Sequence, residues 1–375
     1  MKPFKLPDLI DELGNLVLKY FTDHVPASLS GNLPVSGTNE FKFDFDMPDH
    51  SFKIGKVEIK NPLISAPLAG ISDNTFRIFA GFFGSALNCT EMISSYGIVY
   101  GHKKSLTLSD ITDYERPCAV QIFGPDPEII AEAALQIEDK ADIIDINMGC
   151  PVPKVLKAKS GGYLIQDKEK VKKIISRLSS MLKKPLTIKT RIGWDSESIN
   201  ILDIAKIAEH SGAKAISIHG RVVKQGFSGE VNYEIIKKVK EKIKIPVIVS
   251  GDIDSPGKAL EIMDYTGCDG VMIGRAVKGR LWLLSKILLF LLAGHKESTN
   301  TIFDSISEPD LEWKKELSKL YLKFMIYFKG EDRGVREFRK RLSWIFKGEK
   351  GISGIRDGFF KIDSFKNAIK LIDSI

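Results

Sequence analysis

The stretch Ile143-Ile144-Asp145-Ile146-Asn147-Met148-Gly149-Cys150-Pro151 decides how the chain is read. A continuous apolar run ends in an amide, a glycine, a thiol and a proline, which is the pattern of a buried strand that stops and delivers its last side chains into a pocket. Asn147 brings an amide that donates and accepts, Gly149 permits a sharp turn, and Pro151 stops further strand pairing. A lone cysteine at a strand end is ordinarily a small packed residue. The residues around Cys150 give it more to do.

Working outward, short apolar runs recur at Leu63 to Ala66, Ala86 to Cys89, Cys118 to Phe123, Asp142 to Asn147, Leu186 to Arg191, Ala215 to His219, Pro246 to Ser250 and Gly270 to Ile273. Helical spacing separates most of them, at Pro127 to Asp139, Asp167 to Lys183, Ile199 to Ser211, Tyr233 to Ile243 and Pro256 to Thr266. Strands that read as unbroken apolar runs, each followed by a helix, predict a parallel sheet covered on both faces. Eight such units in about 220 residues predict an α/β protein built on a (β/α)8 TIM barrel. The expected organisation is an N-terminal extension and linker over residues 1–50, the barrel over 51–295, and a C-terminal helical bundle over 310–375.

In such a barrel, chemistry sits where strands end and their following loops begin. Those positions here read Pro67-Leu68-Ala69-Gly70, Thr90-Glu91-Met92, Gln121 to Gly124, Asn147 to Cys150, Lys189-Thr190-Arg191, His219-Gly220-Arg221, Ser250-Gly251-Asp252 and Gly274-Arg275. Glycine amides and a guanidinium after the last two strands predict a phosphate site. Two phosphate-binding decoys fail. Gly251 to Lys258 has five residues between its glycine and the Gly257-Lys258 pair and is followed by Ala259, so it is not a P-loop, and no G-x-G-x-x-G follows a strand. Lys189 and His219 point inward beside Gln121, a set that suits a planar ring able to carry negative charge. Flavin mononucleotide has such a ring and a single phosphate.

The rest of the composition sets limits. Hydrophobic content of 43% and charge of 27% are those of a globular chain. The four cysteines have no C-x-x-C spacing and no nearby histidine, so neither a disulfide framework nor a metal site is expected, and a cytoplasmic setting fits. Acidic residues Asp8, Asp11 and Glu12 argue against an export signal, and the run Leu281 to Ala293 is interrupted by Lys286 and too short for a membrane span. Leu9, Leu13, Leu16, Val17 and Tyr20 share one helical face, and Ser28 to Asp49 reads as a linker. Residues 1–50 carry a charge of −4 (four Lys, eight Asp and Glu), whereas 311–350 carry +6 (eight Lys and four Arg against six acids). Near that tail, Arg333, Arg336, Arg339, Lys340 and Arg341 cluster around Phe338 and Trp344.

These motifs together resemble the bacterial type of the dihydrouridine synthases, flavoenzymes that reduce uridine in RNA. The matching stretches are Ala66 to Gly70, Thr90 to Met92, Gln121 to Gly124, Asp145 to Pro151, Ile188 to Trp194, His219 to Arg221 with Gln225 and Gly229, Ser250 to Ile253, Gly274 to Ala276 and Arg333 to Arg336. The resemblance implies FMN held by Pro67, Leu68, Ala69, Gln121, Lys189, His219, Ser250, Gly251, Asp252, Gly274 and Arg275, with NADPH as electron donor. It implies Cys150 as the acid that protonates uracil C5 while hydride arrives at C6, with Asn147, Arg191, Arg221 and Gln225 at the substrate. RNA, tRNA first among the candidates, is expected on Lys154, Arg333, Arg336, Arg339 and Lys340. Leu68 stands where the family usually has Met, Ser250 where it has Asn, and Ser160 to Tyr163 is bulkier than usual. Two other readings share the barrel and flavin: a reductase of free dihydropyrimidine or dihydroorotate type, and the same uridine chemistry on ribosomal RNA.

Overall fold

A computed structural model describes residues 4–25, 50–293, 306–350, 352–354 and 356–375. The linker expected over Ser28 to Asp49 lies outside the described residues. Eleven strands form among those that are described: β1 (Phe52–Ile54), β2 (Val57–Ile59), β3 (Leu63–Ser65), β4 (Asn88–Cys89), β5 (Ile93–Ser94), β6 (Cys118–Phe123), β7 (Ile143–Met148), β8 (Leu186–Arg191), β9 (Ala215–His219), β10 (Val247–Ser250) and β11 (Gly270–Ile273). Strands β3 to β11, without β5, run in the spatial order β3-β11-β10-β9-β8-β7-β6-β4, every neighbouring pair parallel. A parallel bridge between Ile64 and Leu87, with the Ser65 amide donating to the Leu87 carbonyl at 3.0 Å, joins the two ends of that order. The expected (β/α)8 barrel is present.

The apolar runs explain the closure. Ile64, Ala66, Leu87, Cys89, Ala119, Ile143, Ala215, Ile248 and Met272 meet inside the barrel, and Ile54 and Ile59 of the antiparallel hairpin β1–β2 join them. The hairpin turn at Gly55 packs on Pro185 and Lys214, which immediately precede β8 and β9, so the hairpin plugs the end where strands begin. The hairpin leaves no sign in the sequence, because strands of three residues, interrupted by Lys53 and Glu58, are too short to show a period. Access is left at the end where strands stop.

Helices return the chain between strands, and their starts follow from short polar caps. Asp126 accepts from the Glu128 and Ile129 amides, Asp167 from Lys170, Asn232 from Ile235 and Ser255 from Lys258, opening Pro127–Ile137, Lys168–Met181, Tyr233–Lys240 and Pro256–Thr266. Gly267, left-handed at φ 64°, ends the last of these.

Two compact units emerge, one from the described residues of 46–77 and 85–275, the other from those of 1–45, 78–84 and 276–375. The first is the barrel. In the second, helix Leu6–His24 packs along helix Leu311–Lys329, and the Trp313 indole donates to the Leu16 carbonyl at 3.1 Å. Tyr20, Phe83, Trp282 and Trp313 form one ring cluster there. Gly330, at φ 77°, breaks the long helix before Glu331–Ile345, and Ser364 caps the last helix, Phe365–Asp373. No helix among the described residues is long and apolar enough to cross a membrane.

Candidate active site

Polar side chains that would be costly in the barrel core are paired across strands. Gln121 on β6, Asp145 on β7 and Thr187 on β8 are register partners. The Gln121 amide nitrogen donates to Asp145 Oδ2 at 2.7 Å, and the Thr187 hydroxyl donates to Asp145 Oδ1 at 2.6 Å. Burial pushes the Asp145 carboxyl up from the ordinary range, while these two hydrogen bonds and the Lys189 charge pull it back. Two residues further along β7, Asn147 Nδ2 donates to Gln121 Oε1 at 2.8 Å. Asn147 Oδ1 then accepts from the backbone amides of Gly149 and Cys150, at 3.2 and 2.9 Å. One continuous chain of hydrogen bonds thus runs from Thr187 to the backbone of Cys150.

Cys150 is half-buried at the strand end. Burial pushes its thiol above the ordinary range, while the Val152 amide and the charges of Arg191 and Lys189 pull it back. Its surroundings are tight. A Cβ on Gly161 would meet Cys150 Cβ at 3.0 Å, one on Gly162 would meet Val223 at 2.7 Å, and one on Gly149 would meet the Thr190 backbone at 3.0 Å. Tyr163, expected to add bulk here, sets its ring edge-on to Trp194 instead.

The neighbouring strand ends are strongly cationic. Lys189 sits opposite Asn147 and Ser217 in register, and its ammonium makes no hydrogen bond or contact ion pair among the described residues, although the Asp145 charge attracts it. Burial, then Arg191, lowers its pKa. Arg191 is buried, donates from Nε to the Gly149 carbonyl at 3.1 Å and from Nη1 to the Val222 carbonyl at 2.8 Å, and lies over the Phe227 ring. His219 is pushed down to about 2, by burial first and then by Lys189 and the arginines, so its imidazole is neutral. Such a ring accepts from one nitrogen and donates from the other.

At the ends of β10 and β11 the backbone takes a left-handed course, with φ 125° at Gly251 and 45° at Asp252. A Cβ on Gly251 would stand 2.9 Å from His219 Cδ2, so glycine is needed there. Asp252 is paired with Arg221, and its Oδ1 also accepts from Arg275 at 2.9 Å. The Arg275 guanidinium covers the exposed Phe227 ring at 4.5 Å. Next to β11, the Ser72 hydroxyl donates to the Ala66 carbonyl and accepts from the Leu68 amide, shaping the loop that carries Pro67, Leu68 and Ala69.

The structure therefore gathers Pro67 to Ala69, Gln121, Asn147, Cys150, Lys189, Arg191, His219, Ser250 to Asp252, Gly274 and Arg275 at one end of the barrel. Arg221 and Gln225 come there too, but both are engaged within their own loop. Arg221 also donates to the Ser228 and Gly229 carbonyls, and Gln225 takes the Val222 amide and donates to the Glu230 carbonyl. Lys154 is exposed on the short helix Pro153–Lys157. Arg333, Arg336, Arg339 and Lys340 belong to the other unit. Asp145, Thr187, Ser72 and Phe227 were passed over in the sequence. A polar residue at an inward position two before Asn147 was the signal that could have exposed Asp145.

The donor set fits a flat, anionic heteroaromatic group with one phosphate. Lys189 makes no hydrogen bond or contact ion pair among the described residues, His219 and Gln121 offer hydrogen-bonding edges, and glycine backbone lies where an anion approaches. Among the described residues no group of three or more His, Cys, Asp or Glu is arranged to hold a metal.

Residues 64–373 match the family described as Dihydrouridine synthase (Dus). The chain belongs to the dihydrouridine synthase family. It is 37% identical over 313 residues to a protein named tRNA-dihydrouridine synthase B from Vibrio vulnificus, covering 83% of this chain and 94% of that one. It is 39% identical over 298 residues to the protein of that name from Shewanella oneidensis, covering 79% and 90%. A probable tRNA-dihydrouridine synthase from Rickettsia bellii is 37% identical over 298 residues, with 79% and 89% covered. The solved structure of a 2-naphthoyl-CoA reductase superposes with a TM-score of 0.50 over 63% of this chain and 51% of that one, at 14% identity, a likeness of fold. Members of the dihydrouridine synthase family are oxidoreductases, and in barrels of this kind chemistry sits at the ends of the strands.

Proposed function

We infer that this chain uses FMN, replenished by NADPH, to reduce a uridine of tRNA to 5,6-dihydrouridine. The observation that carries the reading is the half-buried thiol of Cys150, held by a fixed hydrogen-bond chain beside an interior ammonium that lacks a partner among the described residues. The names of the curated relatives support tRNA as the substrate. When bound, FMN supplies hydride transfer to the uracil.

The chain's own residues do the rest. Lys189, neutral His219 and Gln121 would hold the ring, with Pro67, Leu68 and Ala69 beside it, and Ser250, Gly251, Asp252, Gly274 and Arg275 would hold the phosphate. Arg191, with two of its nitrogens committed to the Gly149 and Val222 carbonyls, keeps Nη2 for a uracil carbonyl. Cys150 holds a proton on Sγ and gives it to C5, and a thiol raised above its ordinary range keeps that proton at neutral pH. A stacked base cannot enter such a pocket, so the target nucleotide is flipped out at a cost of about a few kcal/mol. Exposed Arg336 and Lys340, with Arg333, Arg339 and Lys154, meet RNA phosphates. Phe338 and Phe346 are fully buried and serve the helical core rather than base stacking. The four unbridged cysteines accord with a cytoplasmic enzyme.

Purified full-length protein tests this. It should be yellow, bleach with NADPH, and add two hydrogens to uridine in tRNA by mass spectrometry. Cys150→Ala should keep the flavin and lower dihydrouridine formation by about 10²- to 10⁴-fold. Alkylation of Cys150 should be slow at neutral pH and accelerate as pH rises past the ordinary thiol range, because only then does the thiolate form. Undiminished product from Cys150→Ala would remove the acid role, and product from free uridine but not from tRNA would favour a small-molecule reductase.

A further inference from the structure

Asp145 touches neither the thiol nor the open end of the barrel, yet the Gln121–Asn147 relay that holds the Cys150 backbone ends on it. An amide can face either way, and Gln121 and Asn147 are both amides. A carboxylate has no such freedom when ionised, since it only accepts, and both Asp145 oxygens here receive a donor. With Asp145 beneath it, Gln121 has to turn its NH2 downward and its carbonyl oxygen toward Asn147. Asn147 then has to turn its NH2 toward Gln121, which leaves its oxygen to hold the amides of Gly149 and Cys150. Reversing either amide would place two donors or two acceptors face to face. Asp145 is only 4% exposed, so water does not compete for it.

We propose that Asp145 is a positioning residue whose acceptor-only carboxylate sets the sense of the Gln121–Asn147 relay and thereby fixes the backbone that carries the Cys150 thiol. The inference rests on the reading of Cys150 as proton donor and extends it to a residue buried one pleat deeper. Along the inner face of β7, Ile143, Asp145 and Asn147 thus serve in turn as apolar core, polarity reference and loop holder.

The discriminating experiment is a swap of donor sense in full-length, flavin-loaded protein. Asp145→Asn keeps shape but lets the side chain offer either N–H or oxygen to Gln121, so kcat for tRNA should fall by about tenfold with KM and flavin content little changed, as expected when a reacting group is misplaced. Cys150 should also be alkylated several-fold faster, because its loop is less firmly held. Gln121→Glu sets two carboxylates against each other and should impair both readouts. Combining Gln121→Glu with Asp145→Asn restores complementarity, since the introduced amide can donate to the introduced carboxylate while Asn147 still does. The slow alkylation rate should then return.

Wild-type kcat and alkylation in Asp145→Asn would overturn the proposal. So would a double variant no better than Gln121→Glu alone, or losses that merely track melting temperature and flavin content. A wild-type enzyme that forms no dihydrouridine would sink the functional reading instead, and the alkylation rates would still decide the positioning role.

Discussion

The strand ends of the barrel and the helical unit keep part of their positive charge differently. At the barrel's strand ends, Arg191 is only 2% exposed and meets backbone carbonyls in place of acids, and the Lys189 ammonium makes no hydrogen bond or close ion pair among the described residues. In the helical unit cations are answered by acids whether buried or exposed, as in Lys286–Glu308 and Lys314–Glu349 at 3.0 and 2.6 Å and in Lys323–Glu12 and Arg333–Glu337 at 2.6 and 2.8 Å. Removing a cation from water costs several kcal/mol unless something repays it, whereas an exposed pair gains little and is screened by salt. The difference teaches that an interior cation left without a close acid, as Lys189 is, anticipates a ligand, whereas buried Arg77, Lys286 and Lys314 are held by Glu115, Glu308 and Glu349.

The largest effect should come from breaking that contrast at its sharpest point. Lys189→Met removes a charge that the protein leaves unpaired and keeps an apolar stem of similar length. A hydrogen bond to a charged group is worth about 1.5–3 kcal/mol, so FMN affinity should drop by about 10- to 150-fold, read as flavin absorbance of the purified protein and by titration. The flavin-free protein should meanwhile melt no lower than wild type, because burial of the ammonium outweighs the attraction it gains from Asp145. Unchanged flavin content, or a lower melting temperature without flavin, would mean that Lys189 is structurally paired after all.

How far the sequence foretold this depends on whether a feature repeats or is shared between strands. The barrel was legible because each unit restates the same apolar run and capped helix, from Cys118 to Ile137 and again from Val247 to Thr266. Strand-end residues were legible because the barrel puts ligands there. The Asp145 relay was not, since Gln121, Asp145 and Thr187 lie far apart in sequence and meet only through register. Arg221 shows the converse. Its position at a strand end marked it for a substrate, but only the loop's return through Ser228 and Gly229 reveals carbonyls that engage it. The first helix had a clear apolar face, but nothing in the sequence said that Leu311–Lys329 would cover it.

On the helical unit a smaller effect, of a different kind, is expected. Arg336→Glu with Lys340→Glu reverses two exposed cations that make no ion pair with an acid among the described residues. KM for tRNA should rise several-fold with kcat and melting temperature held, and the dependence of binding on salt should become shallower by about 0.7–0.9 in log–log slope for each phosphate no longer neutralised. A fall in kcat with KM unchanged would place these residues nearer the chemistry than the contrast allows, and an unaltered salt slope would remove them from the RNA path.

The smallest expected effect tests the other half of the contrast, that answered surface charge is nearly neutral. Lys323 is about a quarter exposed and Glu12 nearly half, and their pairing at 2.6 Å ties helix Leu6–His24 to helix Leu311–Lys329. If exposure governs, Lys323→Ala should cost about 0–1 kcal/mol, and the deficit should vanish as ionic strength rises. The attachment of the first helix rests instead on Leu13, Val17 and Tyr20, all fully buried, and on the Trp313 bond to Leu16. Thermal melts of Lys323→Ala at low and high salt decide the matter. A salt-insensitive loss larger than about 2 kcal/mol would mean that this pair is desolvated as the barrel's cations are, and that the two units do not differ in how they keep charge.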